Sequence, residues 1–276
     1  MVLRYVAHCE GRLLRFLRRE LCMSSGLVSR LKYQNALLVN GTPAHTDYPV
    51  HPGDEIRVLL DEPMPDYPAE PGPLDILYED EAMIALDKPP GLIMHPTFNR
   101  TTGTLANRLL AYYQSTGQAC AVHPVSRLDR DTFGVVLLAK NSHVHTLLNR
   151  IPKEKCYDAL VVGTPTPLCG EIVAPIARLS PTSLLRCVRA DGKPAVTQYE
   201  TLSPGTISRV SLRPLTGRTH QLRVHMAYIG CPILGDPQYG LATGFSQQLC
   251  ARSLRLTHPL SGAPLEIISR QPLRHM

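Results

Sequence analysis

The chain has 276 residues, 43% of them hydrophobic, which is enough for one large domain and a small one. Its net charge of +6 is compatible with a polyanionic partner. No apolar run approaches the length of a membrane span, and charged residues interrupt the N-terminus where a secretory signal would lie, so we expect a soluble, cytoplasmic, monomeric protein that does not bind membranes. The eight cysteines contain no Cys-x-x-Cys pair, so neither a zinc site nor a disulfide framework is predicted.

A small basic unit is predicted for residues 1–60. Apolar residues at helical spacing run from Leu13 to Leu21, Gly26 is expected to break that helix, and residues 27–33 form a second one. Strands are predicted at 37–39 and 55–60, with turns at Asn40-Gly41 and at 52–54. Six basic residues oppose a single acidic one, Glu20, within residues 12–32: Arg12, Arg15, Arg18, Arg19, Arg30 and Lys32. The alternative interpretation is an amphipathic helix whose arginines only face water.

A proline-rich linker at 61–73 is expected to hold this unit semi-rigidly apart from a larger domain at 74–276. In the larger domain, strands are predicted at 74–78, 83–87, 135–139, 156–162, 184–188, 196–202, 210–212 and 265–268, and helices at 105–113 and 143–151. Because strands are frequent and helices few, we predict an α+β fold with a mixed, largely antiparallel sheet rather than a doubly wound parallel one.

Residues 123–134 alternate arginines with carboxylates and run directly into the apolar segment 135–139. This pattern is typical of a charged loop that leads into a buried strand. A carboxylate beside fixed cations at the edge of a core stays ionised and is held in one orientation, so it can serve as a nucleophile or a base. The alternative is a solvated, salt-bridged turn.

The run Arg127-Leu128-Asp129-Arg130-Asp131-Thr132, followed by Gly134-Val135 and then Leu137-Leu138-Ala139-Lys140, resembles the catalytic signature of the RluA family of RNA pseudouridine synthases. Three further stretches resemble this family in the same order: Lys88-Pro89-x-Gly91, the Lys155–Gly163 segment, and Thr216–Met226 with the loop 230–240. The resemblance implies that Asp129 is catalytic, that Tyr157 stacks on the uracil and assists proton transfer, and that Arg223 pairs with Asp129. It also implies that Arg127 helps to fill the space that the target base leaves.

Two other sets of basic residues are expected to bind RNA. Arg218 and His220 supply hydrogen-bond donors for phosphates or for a buried carboxylate. Residues 11–60 resemble the α-L RNA-binding module of ribosomal small-subunit protein four, through Arg12-Leu13-x-x-Phe16, Val39-Asn40-Gly41 and the stretch 52–56. In that module the RNA-binding residues are expected to include Arg12, Arg15, Arg19, Arg30 and Lys32.

The chain departs from the family pattern at two positions. Ser126 stands where many members have histidine, and Phe133 stands where a small Ser or Thr is usual. Neither departure alters Asp129, Tyr157 or Arg223, so activity is expected to persist while substrate preference or loop geometry differs.

The resemblance implies an isomerase that flips a uridine out of structured RNA and re-attaches its base through a ring carbon, with no metal or cofactor. Large-subunit ribosomal RNA is favoured as substrate over transfer RNA. A non-catalytic RNA-binding ribosome-assembly factor is one alternative. A glycoside hydrolase is another, because Asp131 is close enough in sequence to supply the second carboxylate that hydrolysis needs.

Overall fold

The computed structural model describes residues 1–62, 65–240 and 244–274. The helices are α1 (Leu13–Arg15), which continues as a π-helical turn (Phe16–Glu20), α2 (Ser25–Tyr33), α3 (Leu105–Ser115), α4 (Ser142–Arg150) and α5 (Gln221–Tyr228). The strands are β1 (Val2–Val6), β2 (Gly11–Arg12), β3 (Leu37–Val39), β4 (Thr42–Pro43), β5 (Pro49–Val50), β6 (Glu55–Leu59), β7 (Ile76–Glu79), β8 (Met83–Lys88), β9 (His123–Pro124), β10 (Phe133–Ala139), β11 (Lys153–Val162), β12 (Cys169–Val173), β13 (Ile176–Arg178), β14 (Arg186–Val188), β15 (Val196–Ser203), β16 (Ile207–Pro214), β17 (Leu249–Thr257) and β18 (Pro264–Ile268).

The N-terminal unit is a four-stranded antiparallel sheet in the order β1-β6-β3-β4, packed against the first two helices around its own apolar core. The expectation that Gly26 breaks the first helix is wrong, because Gly26 lies in the first turn of α2. The first helix ends earlier, with Cys22 in the left-handed region at φ 50°. Ser24 then begins α2 by accepting a hydrogen bond from the Leu27 N–H at 3.2 Å.

The larger unit is built on a ten-stranded sheet. Its main path is β12-β15-β16-β11-β17-β10-β8-β7, with β18 paired to β17 and β9 paired to β10. Among the described residues, β10 and β17 form its one parallel pair, and the other pairs are antiparallel. The predicted α+β class with a mixed, largely antiparallel sheet is therefore confirmed.

Strand β10 is buried along its whole length, as its apolar run predicts. It approaches β17 so closely at Gly134 that an added Cβ would lie 2.4 Å from the Ala251 carbonyl oxygen, and Gly134 has a φ of 102°. The sequence interpretation placed no strand at β17, although β17 joins β10 to β11 at the centre of the sheet. The residues before and after β10 are thereby fixed relative to β11.

The segment between the two units contacts the larger one along much of its length, so it is not a free spacer. Tyr67 packs against the core that includes Leu105 and Tyr113. Asn107 Nδ2 donates to the Pro68 carbonyl oxygen at 2.7 Å, and the Gly103 N–H donates to Glu70 Oε2 at 2.6 Å. Two residues of the predicted linker, Pro63 and Met64, lie outside the described residues. Among the described residues, no helix is long and apolar enough to cross a membrane.

Candidate active site

Asp129 lies in the loop between β9 and β10, and three contacts on either side of it fix this loop. Ser126 Oγ accepts a hydrogen bond from the Leu137 N–H at 2.9 Å, and the Leu128 side chain is buried in the core. The Arg130 carbonyl oxygen accepts a hydrogen bond from Lys88 Nζ at 2.8 Å. Asp129 itself stays 33% exposed, so its carboxylate is held at a known place and remains accessible.

The Lys88 side chain is fully buried and connects two loops through hydrogen bonds. Besides Arg130, its ammonium group donates to the carbonyl oxygens of Leu92 at 2.8 Å and Pro89 at 2.9 Å. Burial lowers the pKa of Lys88 to about 7, while the carboxylates of Asp131 and Asp129 act in the opposite direction. Lys88 therefore stabilises the backbone that carries Asp129.

Arg223 is buried on α5 and holds Asp129 from one side. Its NH1 donates to Asp129 Oδ2 at 3.1 Å. Its Nε and NH2 each donate to one oxygen of Asp236 at 2.7 Å, and NH2 also donates to Gln238 Oε1 at 2.8 Å. Burial alone would lower the pKa of Arg223, but the ion pairs with Asp236 and Asp129 outweigh it and raise that pKa. The guanidinium group is thus permanently charged and oriented before any substrate binds.

Tyr157 lies on β11 between two parts of the hydrophobic core, at a register shift against β17 in which Arg252 of β17 has no partner on β11. Burial raises the pKa of the Tyr157 hydroxyl, and the carboxylate of Asp129 raises it further. The hydroxyl is therefore protonated at neutral pH, so it can donate a hydrogen bond or a proton in the cleft.

These side chains open into one cleft of about 800 Å³. Asp129 is the only carboxylate that lines it within the described ranges. Six cationic side chains line the same cleft: Arg127, Arg130, Lys153, Lys155, Arg218 and Arg223. The cleft therefore combines one reactive acid with a strongly positive wall, which suits a polyanionic substrate.

The predicted site residues fall into two groups in the structure. Asp129, Tyr157 and Arg223 come together in the cleft with three of the predicted RNA-binding residues, Arg127, Arg218 and His220. The other predicted RNA-binding residues do not line it. Arg12, Arg15, Arg19 and Lys32 are exposed on the N-terminal unit, and Arg30 lies between the units with its NH2 3.5 Å from Ser142 Oγ.

Sequence reasoning did not single out two residues that support the site, Asp236 and Lys155. Asp236 is 1% exposed beneath Arg223, and its place in the family-like loop 230–240 was the available signal. Lys155 lies two residues before Tyr157 on the same face of β11, which places both side chains in the cleft. Burial lowers the pKa of Lys155.

The geometry does not suit a two-carboxylate hydrolase. Asp131, the second carboxylate that hydrolysis would need, pairs with Arg130 at 2.9 Å and does not line the cleft. In the described part of the chain, the mixed sheet presents one carboxylate in a cationic cleft, an arrangement that suits an enzyme acting on a nucleic acid through that acid.

Comparison with known proteins identifies this class further. A family model described as RNA pseudouridylate synthase matches residues 82–228. The uncharacterized RNA pseudouridine synthase YjbO of Bacillus subtilis is 37% identical over 247 residues, which cover 87% of this chain and 86% of the relative. The ribosomal large subunit pseudouridine synthase D of Vibrio parahaemolyticus is 36% identical over 242 residues, covering 80% of this chain and 74% of the relative.

Among solved structures, human RNA pseudouridylate synthase domain containing 1 matches with a TM-score of 0.60 at 28% identity, covering 74% of this chain and 86% of the human one. The chain therefore belongs to the RNA pseudouridylate synthase family. The predicted enzyme class, an RNA pseudouridine synthase, is confirmed. The matched segment 82–228 does not include the N-terminal unit, whose likeness to an RNA-binding module stays a prediction.

Proposed function

We propose that this enzyme converts specific uridines of large-subunit ribosomal RNA to pseudouridine, with Asp129 as the catalytic residue. The observation that carries the proposal is the cleft with Asp129 as its one carboxylate among the described residues, paired with buried Arg223 beside Tyr157. A relative with 36% identity carries the name ribosomal large subunit pseudouridine synthase D, which supports ribosomal RNA as the substrate.

Each residue of the cleft has a role that its position supports. Asp129 acts on the ribose of the flipped uridine, either by attack or by removing a ribose proton. Arg223 keeps that carboxylate charged and oriented. Tyr157 presents its ring to the uracil and its hydroxyl as a donor. Arg127, exposed at the cleft, occupies the space that the base vacates, and extrusion of the base costs a few kcal/mol.

The N-terminal unit is proposed to bind the RNA at a distance from the reacting uridine. Its exposed basic residues Arg12, Arg15, Arg19 and Lys32 lie outside the cleft, so they contribute affinity rather than chemistry. Arg30, whose side chain approaches Ser142 of the larger unit, is proposed to contact RNA that crosses both units.

The test is a map of pseudouridines in total RNA from a strain that lacks the protein. We expect one or a few positions in large-subunit ribosomal RNA to revert to uridine and to be restored by the wild-type gene but not by D129N. If pseudouridine were lost only from transfer RNA, the substrate would be transfer RNA and not ribosomal RNA. A defect in ribosome assembly that D129N rescues, with no position lost, would favour the non-catalytic alternative.

A further inference from the structure

His220 connects Asp129 to Tyr239, a residue that does not line the cleft. His220 Nε2 lies 3.8 Å from Asp129 Oδ2, and His220 Nδ1 lies 2.8 Å from the Tyr239 hydroxyl. The backbone at His220 is left-handed, with φ 57° and ψ 19°. A non-glycine residue in this conformation is uncommon and stores strain, and such residues cluster at functional sites.

The hydrogen bonds of Tyr239 indicate which nitrogen of His220 carries the proton. The Tyr239 hydroxyl oxygen accepts a hydrogen bond from the Arg186 backbone N–H at 2.8 Å. Within residues 1–62, 65–240 and 244–274, His220 Nδ1 is the only acceptor in reach of the hydroxyl proton. The arrangement that gives the Tyr239 hydroxyl proton an acceptor within the protein has Tyr239 donating to Nδ1, and a neutral His220 then carries its own proton on Nε2, which faces Asp129.

Arg223 and His220 both approach the same oxygen of Asp129. Arg223 NH1 is 3.1 Å from Oδ2, and His220 Nε2 is 3.8 Å from that atom. In the described part of the chain, Oδ1 accepts no hydrogen bond from the protein. The gap to His220 exceeds hydrogen-bonding distance, and a shift of about 1 Å in the partly exposed carboxylate closes it.

We propose that His220 is a positioning residue: Tyr239 holds it as the Nε2–H tautomer, and together with Arg223 it fixes Oδ2 of Asp129 so that Oδ1 faces the uridine. The inference rests on the proposed catalytic role of Asp129. It also explains the strained conformation of His220, because the left-handed backbone directs one ring nitrogen towards Tyr239 and the other towards Asp129.

Burial is the main reason why His220 is neutral at physiological pH. Burial lowers its pKa, and the guanidinium groups of Arg223 and Arg186 lower it further, against the carboxylates of Asp129 and Asp236. Burial also raises the pKa of the Tyr239 hydroxyl, which keeps that donor protonated. Protonation of His220 in acid would place a proton on Nδ1, where it opposes the Tyr239 O–H.

The tautomer can be measured directly in the full-length protein. We expect the long-range ¹H–¹⁵N spectrum of ¹⁵N-histidine-labelled protein near pH 7 to show His220 with a protonated Nε2 and a bare Nδ1. The signals are assigned by their loss in H220N, because asparagine tolerates the left-handed region. In Y239F we expect a mixture of tautomers. A protonated Nδ1 in the wild type, or no change in Y239F, would overturn the inference.

Single-turnover rates test the consequence for the reaction. Y239F removes the hydrogen bond to His220 and the one from the Arg186 N–H. Since only the first acts on Asp129, we expect the chemical step to slow about 3- to 10-fold with RNA affinity unchanged. Y199F is the matched control, since the Tyr199 hydroxyl donates to the Pro167 carbonyl oxygen away from the cleft, at 3.1 Å. H220Q keeps an N–H donor without a titrating ring, so it should retain more activity than H220L.

The pH profile distinguishes positioning from a purely structural role. The pKa of His220 lies below its ordinary value of 6.5. Wild-type activity should fall as pH decreases through that pKa, because a proton on Nδ1 ends the hydrogen bond from Tyr239 that orients the ring, and this fall should be absent from H220Q. Identical profiles would refute the inference. If D129N remains active, the proposed catalytic residue itself is wrong. If D129N is inactive while Y239F and H220L match the wild type, only the role of His220 is wrong.

Discussion

Arg223 forms ion pairs with two carboxylates that differ in exposure. Asp236 is buried and binds the guanidinium group through both oxygens, whereas Asp129 is one-third exposed and binds through one. A buried arginine without a partner would be strongly destabilising. Asp236 therefore neutralises the buried guanidinium of Arg223. Arg223 can hold Asp129 in place, and the stability of the fold does not depend on Asp129.

The substitution D129N tests whether Asp236 supplies stability while Asp129 supplies the chemistry. We expect it to reduce pseudouridine formation at least about a thousandfold, because the reacting carboxylate is lost. The melting temperature should change little, since Asp236 still pairs with Arg223. RNA affinity should also persist, because the phosphate contacts remain. Single-turnover assays, filter binding and thermal melts measure the three quantities.

The matched control is D191N, which removes an exposed carboxylate that pairs with Arg189, a residue outside the cleft lining. It should keep near wild-type rates. If D129N retained a tenth of the wild-type rate, Asp129 could not be the catalytic residue.

Tyr157 is expected to contribute through its hydroxyl as well as its ring. Because burial and Asp129 raise the pKa of that hydroxyl, it is a donor throughout the neutral range. Y157F keeps the ring, so RNA affinity should stay within about twofold while the single-turnover rate falls by about 100-fold or more, the range for a positioned acid. Y199F again serves as the control. A wild-type rate in Y157F would limit Tyr157 to stacking.

At the scale of elements, the site is assembled from a loop, a strand and a helix that are far apart in sequence. Asp129 precedes β10, Tyr157 lies on β11, and Arg223 lies on α5. The apolar runs at β10 and β11 were predictable from composition and periodicity, and so was the largely antiparallel sheet. The position of β17 between these two strands was not predictable, because its first three residues, Leu249-Cys250-Ala251, carry no alternation of polar and apolar residues.

The partners within the site were predictable to different degrees. The three motif residues followed from resemblance, because their separation along the chain contains no information about contact. Asp236 and Tyr239 act across loops through hydrogen bonds that depend on side-chain orientation. No local pattern encodes such an orientation. The end of the first helix was mispredicted although Ser24, a favoured N-cap, marked the start of α2.

Glu62 binds the first residue of α4 and makes the stability of the protein depend on pH. Its carboxylate accepts hydrogen bonds from the Ser142 N–H at 2.8 Å and from Ser142 Oγ at 2.7 Å, and it pairs with His123 Nε2 at 3.2 Å. Burial alone would raise the pKa of Glu62, but the hydrogen bonds from His123 and Ser142 outweigh it and lower the pKa to about 2. The folded-state pKa thus lies below the ordinary value of 4.5.

Because the folded state binds the Glu62 proton less tightly than the unfolded state, the stabilisation is fully present above about pH 5 and is lost as pH falls towards 2. E62Q should therefore lower the free energy of unfolding at pH 7 by up to about 3 kcal/mol, and its deficit should shrink below pH 4. Urea titrations at several pH values measure this. E266Q, which breaks an exposed pair with Arg255, should show neither effect. A deficit that is constant with pH would mean that ionisation of Glu62 is not its source.

At the scale of the whole molecule, positive charge is concentrated in the cleft and on the N-terminal unit. Removing that unit by cutting the chain near Leu74 is a poor test of its role, because the segment before Leu74 contributes Tyr67, Glu62 and Glu70 to contacts with the larger unit. A truncated protein could lose activity through instability alone. Substitution of exposed side chains separates RNA binding from folding.

Arg12, Arg15 and Arg19 are exposed, and in the described structure none of them forms an ion pair. If each contacts a phosphate, the variant R12Q/R15Q/R19Q should bind the target RNA more weakly, and its log–log salt slope should flatten by about two to three units. Chemistry on a short RNA that fills only the cleft should be unchanged at low salt. Filter binding over a range of salt concentrations measures the slope.

The matched control is R189Q/R255Q/R270Q, which lowers the net charge of +6 by the same three units. Its arginines already pair with Asp191, Glu266 and Asp75 on the surface, so we expect them to bind RNA phosphates less strongly. Its slope should stay within about one unit of the wild type. Equal slopes for the two triple variants would mean that only overall charge matters, and the N-terminal arginines would then face water.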